Sequence, residues 1–466
     1  MPFESPCARS AEFSPGLSSS GSLAFTAAEV LAPAGNLATL QTAIDFGADA
    51  VYCGGQQFGM RAAPKNFTLE DFDTAVHYAH ARGARVYAAC NILPSSNDVP
   101  AMNAYMGQLA DIGIDALIIS DIGVLMAARQ VAPHTELHVS TQAGITNYQA
   151  ANAMVELGAS RIVLARELDL EAIRQIRANI PRHIEIEAFV HGSMCMAFSG
   201  RCLISQHLTG RDANQGDCVQ ACRYKYHVVE EKRPGEFLPV EVTDQGSFIF
   251  NSQDMNLLEH VDDILDAGVT SLKIEGRAKG AYYVAVMANA YKTAVNAYRE
   301  RRAAGDSGPL ELPQWLREEP FKVTHREYGT GFYYPEHPAS ESVVRGGYIN
   351  EWRWLGTVTG YDAHAQRLRI FARNKIAPGM EIEFLAPGGR APLQYRVPNV
   401  GLQNAEGEPV SEINNPAHEF SLPFPAPEVP ASEAETAVHG EHSAGSGAAA
   451  QEPMPVGAMI RARVAQ

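Results

Sequence analysis

Four of the chain's seven cysteines fall within 28 consecutive residues, spaced Cys195-x6-Cys202-x15-Cys218-x3-Cys222. Thiolates are soft ligands, and four of them close together suit zinc or an iron–sulfur cluster. A lone cysteine is more often a small buried hydrophobe, which is the reading for Cys7, Cys53 and Cys90. Four in one loop-rich stretch call for a common purpose. The spacing lacks the tight C-x2-C pairs of many zinc sites, and it leaves the choice of metal open.

A second group of residues could bind and move protons. Lys273, Glu275 and Arg277 alternate along the chain, and period-two alternation puts all three on one face of a strand. Lys273 and Arg277 on such a face suit the carboxylates of a small acid, the arginine bidentately. A salt-bridged rim is the rival reading. Glu275, His191 and Glu187 are the candidate acid–base residues, with a hydrogen-bonded structural histidine and a buried partner for a cation as the rival readings of His191 and Glu187. Glu187 lies four residues before His191, which predicts a shared strand face. Gln142 and Arg166 follow strand-like runs and join Lys273 and Arg277 as candidate substrate-binding residues. Asn91, Asp121 and Asn147 qualify by position alone.

The elements that must position these residues repeat. Strand-like runs occur at Glu29–Ala32, Ala50–Gly54, Arg85–Asn91, Ala116–Asp121, Leu137–Gln142, Arg161–Glu167, Ile184–His191 and Ser271–Gly276, with helical periodicity between them. Eight strands alternating with helices predict an α/β fold, a (β/α)8 TIM-type barrel over residues 28–302. An open doubly wound sheet is the alternative, weakened by the lack of a G-x-G-x-x-G turn after the first strand. The cysteines sit in an insertion, about residues 192–268, before the last strand. Segments that follow barrel strands emerge where active sites are built.

The flanking regions differ in composition. Residues 1–27 read as a disordered leader, 303–340 as a linker and connecting segment, and 425–466 as a low-complexity tail with a frayed end. Residues 341–424 carry short alternating runs separated by turn residues, which predict a small C-terminal antiparallel β-barrel domain. The net charge of −16 argues against indiscriminate nucleic-acid coating. Yet residues 345–396 hold eight basic against four acidic residues, interleaved with Trp352, Trp354, Tyr348, Tyr361 and Phe371. Arg353, Arg367, Arg369, Arg373 and Lys375 are therefore candidate RNA contacts, with scattered surface arginines and core tryptophans as the plainer reading. No run approaches a membrane span, and seven cysteines in a long chain are not a secreted disulfide framework, so a cytoplasmic protein is expected.

The run Glu187-Ala-Phe-Val-His-Gly-Ser-Met-Cys195-Met-Ala-Phe-Ser-Gly-Arg-Cys202-Leu-Ile-Ser205 resembles the signature of the collagenase-like peptidase family U-32. Leu31-Ala-Pro-Ala-Gly35, Ser140-Thr-Gln-Ala143, Arg211-Asp-Ala-Asn-Gln-Gly216 and Ser271-Leu-Lys-Ile-Glu-Gly-Arg277 extend the likeness over most of the chain. Length and the β domain most resemble the bacterial subfamily of prephenate-dependent tRNA uridine 5-hydroxylases, which act at the wobble position. The resemblance implies a 4Fe–4S cluster on Cys195, Cys202, Cys218 and Cys222, prephenate as co-substrate and tRNA as partner. Two rivals remain: a peptidase or other hydrolase, and a zinc-stabilised adaptor without catalysis. No H-E-x-x-H helix or G-x-S-x-G elbow is present. A cysteine tied up in a cluster is not a free nucleophile.

Overall fold

The computed structural model describes residues 28–60, 66–195, 198, 201–223, 242–243, 246–247, 253–336, 348–425 and 453–464. The leader expected at 1–27 and residues 426–452 of the expected tail lie outside the described residues.

All eight expected barrel strands form. They are β1 (Glu29–Ala34), β2 (Ala50–Gly54), β3 (Arg85–Cys90), β4 (Ala116–Ile119), β5 (Glu136–Val139), β6 (Arg161–Val163), β7 (Glu185–Ser193) and a closing strand, Ser271–Ile274. Each pairs in parallel with the next, and the closing strand pairs with both β1 and β7, so the barrel has no open edge. Alternation explains the two layers. Val30, Ala32, Val51, Cys53, Val86, Ala88 and Cys90 face the helices, and Leu31, Ala50, Tyr52, Tyr87, Ala116 and Ile118 face the axis. Cys53 and Cys90 are thus packing residues in the outer layer. Each fully buried aliphatic side chain in these layers contributes about 1.5–3 kcal/mol.

The helices are started by side chains at the barrel mouth. Asp121 accepts a hydrogen bond from the Val124 amide at 3.0 Å, and Asn147 accepts one from Ala150 at 2.9 Å. These two mouth residues are N-caps, satisfying amides that helix geometry leaves orphaned.

One irregularity decides what faces the site. Opposite β7 the closing strand slips register: Lys273 pairs with Phe189, and Ile274 pairs with His191. The extra residue in β7 is a bulge, and it inverts the facing of everything after it. Glu187 points to the barrel axis, whereas His191 points outward to the long helix Ala281–Ala303. The expectation that these two share a face fails at this bulge.

The C-terminal domain is a seven-stranded antiparallel sheet around its own apolar core. It includes the expected strands as Trp352–Asp362, Arg367–Ala372, Glu381–Leu385, Leu393–Arg396 and Glu419–Pro423. The sheet curls until the Tyr395 hydroxyl donates to the Pro423 carbonyl across it. An interior strand of the sheet is Met459–Arg463, paired with both Trp352–Asp362 and Glu381–Leu385. That segment was expected to be a frayed end; low-complexity sequence separates it from the rest of its domain and hides the long-range pairing.

Arg461 on that strand joins the two domains. Its guanidinium has no exposed surface and donates to both oxygens of Glu319, at 2.8 and 2.5 Å, and to Glu383 at 2.8 Å. Lys322 adds a second cation, 3.1 Å from Glu383. Burial alone would lower the Arg461 pKa, but Glu319 and then Glu383 outweigh it and raise it. Glu319 and Lys322 belong to the segment read as a linker, which therefore acts as a structural seam. Trp352 lies over Arg461 and Lys322, and Trp354 stacks on Tyr282 of the long helix, so both tryptophans serve this seam.

Arg461→Ala would leave two carboxylates buried against one lysine. Breaking such a buried set costs about 3–5 kcal/mol. Urea unfolding should register that loss, and an unchanged midpoint would show that the seam contributes nothing to stability.

Candidate functional site

The mouth of the barrel holds a cavity of about 160 Å³. Its apolar wall includes Met60, Ala89, Ile118, Phe189 and Met194, and its polar lining includes Asn91, Gln142, Arg166, Lys273, Glu275 and Arg277. Cys195, Cys202, Cys218 and Cys222, distant in sequence from most of these, complete the lining. Chain folding thus brings the two chemical groups of the sequence into one space.

Local hydrogen bonds set the thiols. The Ile204 amide donates to the Cys202 sulfur at 3.4 Å, and the Gln220 amide donates to the Cys218 sulfur at 3.4 Å. Such N–H donors stabilise negative charge on sulfur. Asn214 grips Cys202 by its backbone, accepting from its amide at 3.2 Å and donating to its carbonyl at 3.1 Å. Arg201 donates to the Gln142 carbonyl at 2.7 Å, tying the cysteine segment to the turn after β5. Sequence reasoning passed over Asn214 and Arg201 as ligand-supporting residues, although both lie inside the quoted motifs.

Four thiols are a soft donor set, of the kind that holds zinc or an iron–sulfur cluster. In a single-zinc site, Zn–S bonds of about 2.3 Å hold thiolates roughly 3.8 Å apart. Among the described residues, no three of these sulfurs lie within 4.8 Å of one another. One other donor group does converge, Glu136, His138 and Glu185 at the opposite end of the barrel. There Arg161 lies 2.6 Å from Glu185 and Arg85 lies 3.7 Å from Glu136, so the carboxylates are already neutralised.

The cationic side of the cavity is built on fixed pairs. Lys273 forms the floor, its ammonium 2.5 Å from Glu187 and over the Tyr52 ring. Arg166 lies 3.2 Å from Glu275. The Arg277 guanidinium lies against Gly54, where a Cβ would make it shift. Gln142 is held by the Ser120 hydroxyl at 3.0 Å.

Two expected acid–base residues lie elsewhere. Glu187 is fully buried beneath the cavity between Lys273 and Arg161. Burial would raise its carboxyl, but Lys273 and Arg161 outweigh that and hold it below the usual range, so it is a counter-ion. His191 is fully buried among Tyr283, Tyr291 and Tyr328. Burial pushes its pKa down to about 3, which keeps the ring neutral. Neither lines the cavity, and Glu275 is the one candidate acid–base residue that does.

Comparison with known proteins places this architecture. Residues 35–342 match the description "Peptidase family U32", and residues 350–433 match "Peptidase family U32 C-terminal domain". The chain belongs to peptidase family U32. It is 35% identical over 361 residues to tRNA hydroxylation protein P1 of Bacillus subtilis (strain 168), covering 77% of this chain and 83% of that one. It is 31% identical over 438 residues to tRNA hydroxylation protein P of Escherichia coli (strain K12), covering 85% and 94%. A 23S rRNA 5-hydroxycytidine synthase of the same Escherichia coli strain is 37% identical over 286 residues, covering 61% of this chain and 42% of that one.

The His191 environment makes a pH prediction. Its pKa of about 3 in the folded protein lies below the unfolded value near 6.5. The unfolded chain therefore binds the extra proton, and stability held above pH 6.5 is lost as pH falls toward 3. This group alone gives a slope of about 1.4 kcal/mol per pH unit between pH 6 and 4. In His191→Asn, denaturant unfolding should show a slope shallower by that amount; an identical slope would mean that His191 is not buried neutral.

Proposed function

We propose that this chain is an RNA-modifying hydroxylase, a tRNA uridine 5-hydroxylase acting at the wobble position. In this reading Cys195, Cys202, Cys218 and Cys222 hold a 4Fe–4S cluster and prephenate is the co-substrate. The observation that carries it is the convergence of four thiols and Arg166, Lys273, Glu275 and Arg277 on one cavity. The names of the relatives support RNA base hydroxylation as the reaction class. Adding a ring hydroxyl is redox chemistry, which side chains do not readily supply and an iron–sulfur cluster can.

The chain's own residues have separable tasks. Lys273, Arg277 and Arg166 receive the carboxylates of the acid. Gln142, its carbonyl oxygen already engaged by Ser120, is placed to present its amide group to a base edge. Glu275 holds or releases a proton beside Arg166. Met60, Ile118, Phe189 and Met194 exclude water from the reacting atoms. A base must leave its stack to enter a cavity of this kind, which favours a single-stranded loop. A reduced, cytoplasmic setting suits the thiols, and no described helix is long and apolar enough to cross a membrane.

The hydrolase reading loses support. A Cys–His hydrolase would need His191, which is engaged with tyrosines behind β7. Ser205 is buried, and its hydroxyl is occupied by the Asp217 carbonyl and the Val219 amide.

Deleting the gene should remove 5-hydroxyuridine-derived nucleosides from the host's tRNA. The wild-type gene should restore them, and a Cys202→Ala gene should not. Undiminished nucleosides in a host without a redundant enzyme would refute the substrate assignment.

The expected RNA contacts divide. Arg353, Arg369 and Arg373 are exposed. Arg367 is held by the Ser421 hydroxyl and carbonyl at 3.0 Å, and Lys375 pairs with Glu412 at 2.6 Å. Charge reversal of Arg353, Arg369 and Arg373 together should weaken tRNA binding and flatten its salt dependence by roughly 0.7–0.9 in log–log slope per lost phosphate contact. Unchanged affinity and slope would place the RNA on another surface.

A further inference from the structure

One side chain touches both halves of the cavity. Arg166 follows β6, and it is only 8% exposed. Its Nη1 donates to the Ser193 carbonyl at 3.2 Å and lies 3.7 Å from the Cys195 sulfur. Its Nη2 lies 3.2 Å from the Glu275 carboxylate, and its guanidinium carbon lies 3.8 Å from the centroid of the Phe189 ring. Its Nε is buried with no partner among the described residues. An arginine nitrogen left unpaired in a buried setting costs free energy unless a ligand completes it. The cavity that Arg166 lines is where such a ligand would sit.

We propose that Arg166 couples the two halves of the site: its charge sets the electrostatics of the Cys195 thiolate, and an anionic substrate alters that charge on binding. The inference rests on the reading of the cysteines as cluster ligands. A cation donating toward a ligand sulfur favours the more negative, reduced state of the group that sulfur holds. Glu275 already offsets part of the Arg166 charge. A carboxylate arriving at the free Nε offsets more, so the site becomes harder to reduce when the acid is bound. Arg166 is thus a positioning and tuning residue that links substrate occupancy to redox state.

The test is a spectroelectrochemical titration of the anaerobically purified full-length protein, with and without prephenate as the probe. Wild type should show a more negative midpoint with prephenate. Arg166→Gln should lower the prephenate-free midpoint by about tenfold in the one-electron equilibrium, about 59 mV, and should lose the prephenate-dependent shift. Arg166→Lys keeps the charge and should remain near wild type. If Arg166→Gln fails to retain iron, Glu275→Gln carries the test: removing the competing carboxylate should raise the midpoint. A wild-type midpoint and shift in Arg166→Gln, an equal displacement in Arg166→Lys, or an unmoved midpoint in Glu275→Gln would each overturn the inference while leaving the cluster assignment standing. A wild-type protein without iron and sulfide would overturn the cluster assignment itself, and the inference with it.

Discussion

The structure depends on an arginine that has no water to turn to. Arg161 lies wholly inside the barrel, within 2.7 Å of Glu29, 2.6 Å of Glu185 and 3.0 Å of Glu187. A lone buried guanidinium would cost many kcal/mol, so these carboxylates have to be there. Burial would raise the Glu29 carboxyl, yet Arg161 holds it down to about 2. The cluster links β1, β6 and β7, and Ser271 of the closing strand donates to Glu29 at 2.7 Å. Glu187 then passes the constraint upward by pairing with Lys273, the floor of the cavity. The cationic lining of the mouth is therefore anchored to the ion network beneath it.

A second buried arginine does a parallel task between domains. Arg461 closes the seam against Glu319 and Glu383, so the strand Met459–Arg463 is held to the segment that follows the barrel. Between these two anchors the described part of the cysteine insertion is tied to the barrel. It gains its position from outside contacts. The Leu93 amide donates to the Asn214 carbonyl at 3.1 Å, and Arg201 reaches the turn that bears Gln142. The barrel supplies the cationic lining, and the insertion supplies the four thiols.

Much of this was legible in the sequence, for physical reasons that differ by feature. The eight barrel strands were readable because each buried run is short, apolar and bounded by helical periodicity. Lys273, Glu275 and Arg277 all line the cavity as the alternation suggested, although the closing strand ends at Ile274 and the last two lie on the segment that follows it. His191 was misplaced because the bulge in β7 reverses the facing, and a bulge inside an apolar run leaves no local signal. The role of Met459–Arg463 was hidden by its separation from its partner strands. Trp352 and Trp354 had the composition of a stacking surface, but only the seam with Lys322, Arg461 and Tyr282 determines what they stack against.

We propose that four thiols around one cavity form an iron–sulfur site serving RNA hydroxylation. Iron, acid-labile sulfide and zinc analysis of the anaerobically purified protein tests it most directly. About four irons and four sulfides per chain are expected, lost together when Cys195 and Cys202 are replaced by alanine. A colourless protein carrying one zinc per chain and no iron would contradict it.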